Sequence, residues 1–416
     1  MLAHVARNPY QPGVGTTPPY LADREQQLQR FRGYLRDFPD KRRNVRLSGL
    51  RGVGKTVLLK EFRDAARERD WVVIRRDLTA RLRQEDAFAT AIADDLDTAI
   101  RAFSNMAKLR ALLAGARRAV GEVTVGLPDG MSISVKPGTS RSGASVLEDR
   151  LGEALVQVGR LAAKAGRGVV FLYDEAHTLY DQPRQHQYPL GALLGAFVQA
   201  QDQEEPPLPV MLVVSGLPPL VQNLQAARSH AERLFRVEEL GNLALEPASQ
   251  HEPSPAALAL IRPAADTGIP FEHDVAQQVV ADVDGYPYFI QKYGEALWDA
   301  ADAGDLDAIT AKLYASTRLR VQDALDAEFF ENRYLDAPRA DQLTLRVAAD
   351  LGGERFEIAK LAAQFQSRNA NATQQSVNRL LKSNHIYRVS QGSYAYTAPL
   401  FGDFVRRAYP RQAADR

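Results

Sequence analysis

Eight consecutive residues, Gly49-Leu50-Arg51-Gly52-Val53-Gly54-Lys55-Thr56, fit the pattern G-x-x-x-x-G-K-[ST] and constrain the fold more than any other stretch of this chain. A short apolar strand segment, Val45 to Ser48, precedes them. A segment with helical character, Lys55 to Arg69, follows. Glycines between a strand and a helix let backbone N–H groups curl around an anion, and the helix directs its positive end at the same point. Gly49, Gly52, Val53, Gly54, Lys55, Thr56 and Val57 therefore form a candidate phosphate cradle. Lys55 offers a mobile point charge to the β- and γ-phosphates, and the Thr56 hydroxyl can ligate Mg²⁺. The expected ligand is ATP or GTP.

A second apolar strand, Val169 to Tyr173, ends in Asp174-Glu175. Two carboxylates at a strand tip are costly without a nearby cation. Asp174 is expected to hold the Mg²⁺ shell, with Glu175 polarising the attacking water as general base. Strand Val210 to Val214 ends at Ser215-Gly216, and ligands of open α/β sheets sit outside the carboxyl ends of the strands. Ser215 either positions the water or simply makes a turn. His177 completes the string Asp-Glu-Ala-His, like that of DEAH-box helicases. The rest of the chain is too helical for a second helicase domain, so His177 is expected to be an ordinary helix residue.

Around these motifs, strands alternate with helical patterns up to about residue 244, which implies a parallel α/β sheet. Val123, Val125, Leu127 and then Met131, Ile133, Val135 alternate about the turn Pro128-Asp129-Gly130, a hairpin signal at 122–136. This hairpin is either a partner- or DNA-contacting insertion or an edge decoration. From about 245 the pattern is helical. Near the C-terminus, three helical segments (Leu343 to Leu351, Ile358 to Phe365, Thr373 to Ser383) precede two strands flanking Ser390-Gln391-Gly392-Ser393. Three helices and a hairpin predict a winged helix, with the third helix in the recognition position.

Charge narrows the options. The net charge of +1 gives no bulk argument for nucleic acid or membrane. Between Pro338 and Pro410, however, ten Lys/Arg stand against five Asp/Glu, a local excess that fits phosphate contacts. Duplex DNA at 371–397 is the expected partner, and a protein partner is the alternative. The chain has no cysteine, so disulfides and thiolate metal sites are excluded. Apolar runs stay at strand length, far short of the roughly 20 residues that span a bilayer. No signal-peptide pattern opens the chain, residues 1–20 read as an extended leader, and a cytoplasmic protein is expected.

The combined pattern resembles AAA+ ATPases, in particular the origin-recognition-like and STAND-like branch. Pro18-Pro19-Tyr20-Leu21-Ala22-Asp23-Arg24-Glu25 is similar to that family's leader motif near the adenine, which assigns Arg24 to the nucleotide, with Asp23 in place of the usual glycine. Ser229-His230-Ala231-Glu232-Arg233-Leu234-Phe235 resembles the stretch that carries the arginine finger, making Arg233 the candidate. Gly285-Tyr286-Pro287-Tyr288-Phe289 resembles the Gly-x-Pro motif of STAND lids, which places Tyr286 and Pro287 at the adenine.

The fold this implies is α/β: a P-loop AAA+ sheet with a helical lid and a C-terminal winged-helix domain. The segments are a leader and adenine-side piece (1–43), the AAA+ domain (44–244), the lid (245–333) and the winged helix (334–416). The resemblance implies ATP and Mg²⁺ as cofactors, slow hydrolysis, and a homo-oligomer formed with ATP. It departs from many AAA+ lids in having no arginine between Arg262 and Arg318, leaving the lid helix only Lys292. That favours a nucleotide-controlled switch over a hexameric motor.

Overall fold

The computed structural model describes residues 7–411 apart from 14, 42, 104–122, 127–131, 136–142, 203–204, 206, 248, 250–251 and 366–369. The chain divides into two compact units. One comprises 26–49 and 55–239; the other comprises 1–25, 50–54 and 240–416.

The first unit is built on a five-stranded sheet of order β2-β5-β6-β1-β7. Its strands are β1 (Asn44–Gly49), β2 (Val72–Asp77), β5 (Val169–Asp174), β6 (Val210–Gly216) and β7 (Phe235–Leu240). β2 pairs with β5, β5 with β6, and β6 with β1, all in parallel. The central strands β5 and β6 are buried along their whole length, which explains why they read as continuous apolar runs rather than alternating ones. α1 (Glu25–Asp37) precedes β1, and the crossovers that parallel pairing requires are supplied by α2 (Lys55–Arg67), α3 (Glu85–Phe103), α4 (Gly143–Lys164), α5 (Pro189–Asp202) and α6 (Pro219–Ala227). Phe31 of α1 stacks on Phe62 of α2 at 4.0 Å, burying both rings.

Two polar clusters pin this unit. The Asn44 and Gln201 side chains exchange hydrogen bonds of 3.1 and 2.8 Å. Asn44 Oδ1 also accepts from Leu212 N at 2.9 Å, so β1, α5 and β6 are tied at one level. On the other side, Arg76 makes a two-pronged contact with Asp95 at 2.8 and 2.7 Å, and the Tyr173 hydroxyl donates to the same carboxylate at 3.0 Å.

The expected hairpin is present as β3 (Val123–Gly126) paired antiparallel with β4 (Ser132–Val135), its turn lying outside the described residues. α3 is described as far as Phe103.

The second unit is mainly helical: α7 (Pro255–Ala264), α8 (His273–Asp282), α9 (Pro287–Ala303) and α10 (Ala311–Leu325). α10 runs into a π-helical turn, Asp326–Glu331, and then α11 (Asn332–Leu335). The described part of the leader is packed. Buried Tyr10 donates its hydroxyl to Leu260 O and meets Phe271 edge-on at 6.2 Å.

The C-terminal part holds α12 (Arg339–Asp350), α13 (Ile358–Ala363), α14 (Ala370–Lys382) and α15 (Phe401–Ala408). Its strands are β8 (Arg355–Glu357), β9 (Ile386–Ser390) and β10 (Ser393–Tyr396), in the order β8-β10-β9. The hairpin β9–β10 was expected. β8 was not: three residues are too few to show a two-residue period. Among the described residues, no helix is long and apolar enough to cross a membrane.

Candidate nucleotide-binding site

In the sheet unit, parallel pairing brings the strand ends that carry the motifs to one edge. Ser48 of β1 sits beside Gly216 of β6, and Tyr173 of β5 beside Val214. At the start of α2, buried Lys55 donates from Nζ to Gly49 O at 3.0 Å. Next along, Thr56 Oγ1 donates to Asp174 Oδ2 at 2.7 Å, while Asp174 Oδ1 accepts from Glu175 N at 2.9 Å. The hydroxyl and carboxylate expected to share a cation are therefore in contact, although 118 residues separate them.

Glu175 sits in the left-handed region, φ 53°, as the residue that caps the 3₁₀ turn Ala176–Thr178. Its side chain is 44% exposed. Ser215 is fully buried, and its hydroxyl finds no hydrogen-bond partner among the described residues. Arg233 is exposed on the single turn Ala231–Leu234, just before β7.

His177 departs from its expected role as an ordinary helix residue. It lies in a 3₁₀ turn, its side chain is only 3% exposed, and its Nδ1 is 3.4 Å from Glu175 Oε2.

The tip of the glycine loop, residues 50–54, belongs to the second unit. Gly52 and Gly54 have φ of 78° and 94°, values that only glycine adopts at little cost. Arg24 is buried. Its guanidinium donates to Val53 O at 3.1 Å, Gly241 O at 2.7 Å and Asp23 O at 2.8 Å. Burial lowers its pKa, partly offset by the charges of Asp23 and Glu25. Its side chain thus braces the backbone of the loop, a role the leader motif did not suggest.

Tyr286 is fully buried and donates its hydroxyl to Arg51 O, and a Cβ on Gly52 would collide with that hydroxyl. Pro287 opens α9, where its missing N–H costs nothing. Lys292, the lid cation left by the sequence, is engaged by Glu328 at 2.9 Å.

One further cation was missed. Arg333, on α11, donates to Asn384 O at 3.0 Å and to Thr397 Oγ1 at 2.8 Å. Burial, and then the charge of Arg51, push its pKa down to about 10. Arg51 N in turn donates to Thr397 O at 3.3 Å. Arg333 carries no motif, so its place beside the loop could not have been read from sequence.

In the expected DNA-contacting segment, Lys382 and Arg388 are exposed. Arg379 is differently placed. It grips the buried Asp341 at 2.9 and 2.6 Å, and that hydrogen bond raises its pKa. It is a structural partner of Asp341.

Residues 20–214 match the family described as AAA ATPase domain, and residues 327–405 match a domain of unknown function, DUF8462. Comparison with curated proteins gives no match. Among solved structures, the chain is similar to the ADP form of the Aeropyrum pernix ORC2 protein: 14% identity, 95% of this chain and 97% of that one covered, TM-score 0.51. The ADPNP-ADP complexes of the same protein give 16% identity, 94% of each chain and TM-score 0.46. The T158V form of Thermotoga maritima RuvB gives 13% identity, 89% and 90% coverage and TM-score 0.41. The ADP-form likeness is one of fold. Together with the domain match and the five-stranded parallel sheet, it supports an AAA+ P-loop ATPase core in this chain.

Proposed function

We propose that this chain is an ATP-binding AAA+ ATPase that works as a nucleotide-controlled switch. The observation that carries this reading is the 2.7 Å contact between Thr56 and Asp174, with Lys55 one residue away at the start of α2. A hydroxyl and a carboxylate are hard oxygen donors suited to Mg²⁺, which takes few protein ligands and fills its shell with water and phosphate. Among the described residues there is no cluster of three or more His, Cys, Asp or Glu that could hold a metal without such help. Mg²⁺, when bound, would neutralise charge on the phosphates. The glycine-loop amides and Lys55 hold the phosphates, Glu175 takes the proton of the attacking water, and Ser215 offers its unpaired hydroxyl to that water.

Hydrolysis is slow, and its product state is read by the helical unit. The support is that Tyr286 and Thr397 both bond to the backbone of Arg51, within the loop itself. Tyr286 and Pro287 form the adenine side of the site. Arg233, exposed, serves as a finger for a neighbouring copy in an ATP-dependent oligomer. The segment 334–416 is a winged helix that binds duplex DNA through Lys382 and Arg388. One structural neighbour is the ADP form of an ORC2 protein, which agrees with nucleotide binding on this fold. A second reading, a STAND-like regulator whose winged helix binds protein, is favoured by the engagement of Arg379 with Asp341, which removes one cation from the DNA-facing set.

The test is titration of wild type and Lys55→Ala with MgATP by calorimetry. Wild type binds, and the variant loses tight binding because the phosphates lose their counter-charge. Equal affinity of the two proteins overturns the reading.

A further inference from the structure

The carboxylate assigned as general base has a neighbour that its motif does not require. Glu175 adopts φ 53°, so the chain turns sharply and continues as a 3₁₀ turn rather than an α-helix. In an α-helix, residues two apart point away from each other. Here the turn brings them together: His177 Nδ1 lies 3.4 Å from Glu175 Oε2.

The histidine is buried and its backbone is held at two points. Its side chain is 3% exposed. Its carbonyl accepts from Asn223 Nδ2 at 2.9 Å. Its backbone N and Cβ press on Gly216, where an added Cβ would come within 2.9 and 3.3 Å of them. Gly216 follows Ser215, the residue with the unpaired hydroxyl at the end of β6. The 3.4 Å separation is an ion-pair distance without hydrogen-bond geometry at Nδ1 in this structure; because an ionised carboxylate only accepts, closing it into a hydrogen bond requires the proton on Nδ1.

We propose that His177 is a positioning residue for Glu175: its Nδ1–H fixes the carboxylate so that the remaining lone pairs face the attacking water. This rests on the reading of Glu175 as general base. The imidazole is anchored in the unit's interior while the carboxylate is half-exposed, so the histidine sets the geometry and the glutamate follows it. Gly216 is part of the device, because any side chain there would push His177 out of register.

Two measurements test this. In the first, phosphate release is followed for His177→Ala, His177→Asn and His177→Gln, with ATP affinity measured alongside. The Asn amide nitrogen lies where Nδ1 does, whereas that of Gln lies where Nε2 does. His177→Ala should lower kcat by ~10-fold to ~10²-fold, the cost of a base displaced by about 1 Å, with ATP affinity unchanged. His177→Asn should recover most of that loss and His177→Gln should not. Unchanged kcat in His177→Ala, or equal behaviour of Asn and Gln, overturns the proposal.

The second measurement does not depend on hydrolysis. Two-bond ¹⁵N–¹H spectra of ring-labelled histidine at pH 8 report which nitrogen is protonated, with His177 assigned among the seven histidines by His177→Gln. A proton on Nδ1 in wild type, lost in Glu175→Ala, supports the contact; a proton on Nε2 in wild type overturns it. If wild type hydrolyses no ATP, the catalytic reading fails, while the spectrum still decides whether His177 holds Glu175.

Discussion

Gly52→Ala is the substitution whose consequence is best worked out from the structure. Gly52 has φ 78°, where a residue with a Cβ is strained by roughly 1–2 kcal/mol. The new methyl would also strike the Tyr286 hydroxyl and come within 2.7 Å of ring carbon Cζ. Tyr286 cannot simply retreat. It is fully buried, with Phe289 edge-on at 4.6 Å and Phe329 at 6.2 Å. Moving it breaks the bond to Arg51 O, worth about 1 kcal/mol.

The expected loss is therefore about 2–3 kcal/mol for the helical unit, part from backbone strain and part from the collision. A double-mutant cycle with Tyr286→Leu separates the two, because leucine leaves room for the methyl. The cost of Gly52→Ala should fall by at least about 1 kcal/mol in the Tyr286→Leu background. Urea midpoints and slopes of the four proteins supply the numbers, and ATP affinity should follow the same order. If the cost of Gly52→Ala is the same in both backgrounds, Tyr286 does not press on the loop and the link between loop and lid motif is wrong.

Other outcomes follow from the same structure. Asn44→Leu leaves Gln201 Oε1 and the Leu212 N–H without a partner in the sheet unit, while Gln201 Nε2 keeps its bond to Val210 O, and about 2 kcal/mol of stability should be lost in denaturant titration; a loss under about 0.5 kcal/mol contradicts the tie between β1, α5 and β6. Arg379→Ala strips a charge partner from buried Asp341 and should cost about 2 kcal/mol, less than a fully buried pair because Arg379 is half-exposed; an unchanged midpoint refutes that role. Lys382→Ala with Arg388→Ala should leave stability intact and make the salt slope of log K for duplex DNA shallower by about 0.9 per contact, read by anisotropy across a salt series. No binding by the parent at low salt would point to the protein-binding reading. Arg233→Ala mixed with Glu175→Gln should recover part of the ATPase activity, since each supplies what the other lacks; no recovery in mixed oligomers argues against a shared site.

The parts of this molecule that were legible in its sequence are local. The strand, glycine turn and helix around Lys55 announce themselves within about a dozen residues, and β5 and β6 are apolar because both faces are covered. What could not be read depends on contacts made at a distance or on backbone angles. His177 looked like a helix residue because a run of residues after a strand tip gives no sign of the left-handed turn at Glu175. Arg333 reaches Thr397, 64 residues on, with no motif to mark it. The pair Arg379–Asp341 joins two helices 38 residues apart, with no local pattern to announce it. Arg24 was assigned to the nucleotide on resemblance, and its hydrogen bonds to the carbonyls of Val53 and Gly241 could not be read from the motif.

The central claim is that Glu175 is the general base of a P-loop ATPase whose nucleotide is held independently of it. Phosphate release by wild type and Glu175→Gln at saturating MgATP, with bound nucleotide quantified in both, tests it most directly. Wild type should turn over, while the variant retains ATP and slows by ~10²–10⁴-fold, because the carboxamide keeps the shape but cannot take the proton. Equal turnover by the two proteins, or no turnover by wild type, would contradict it.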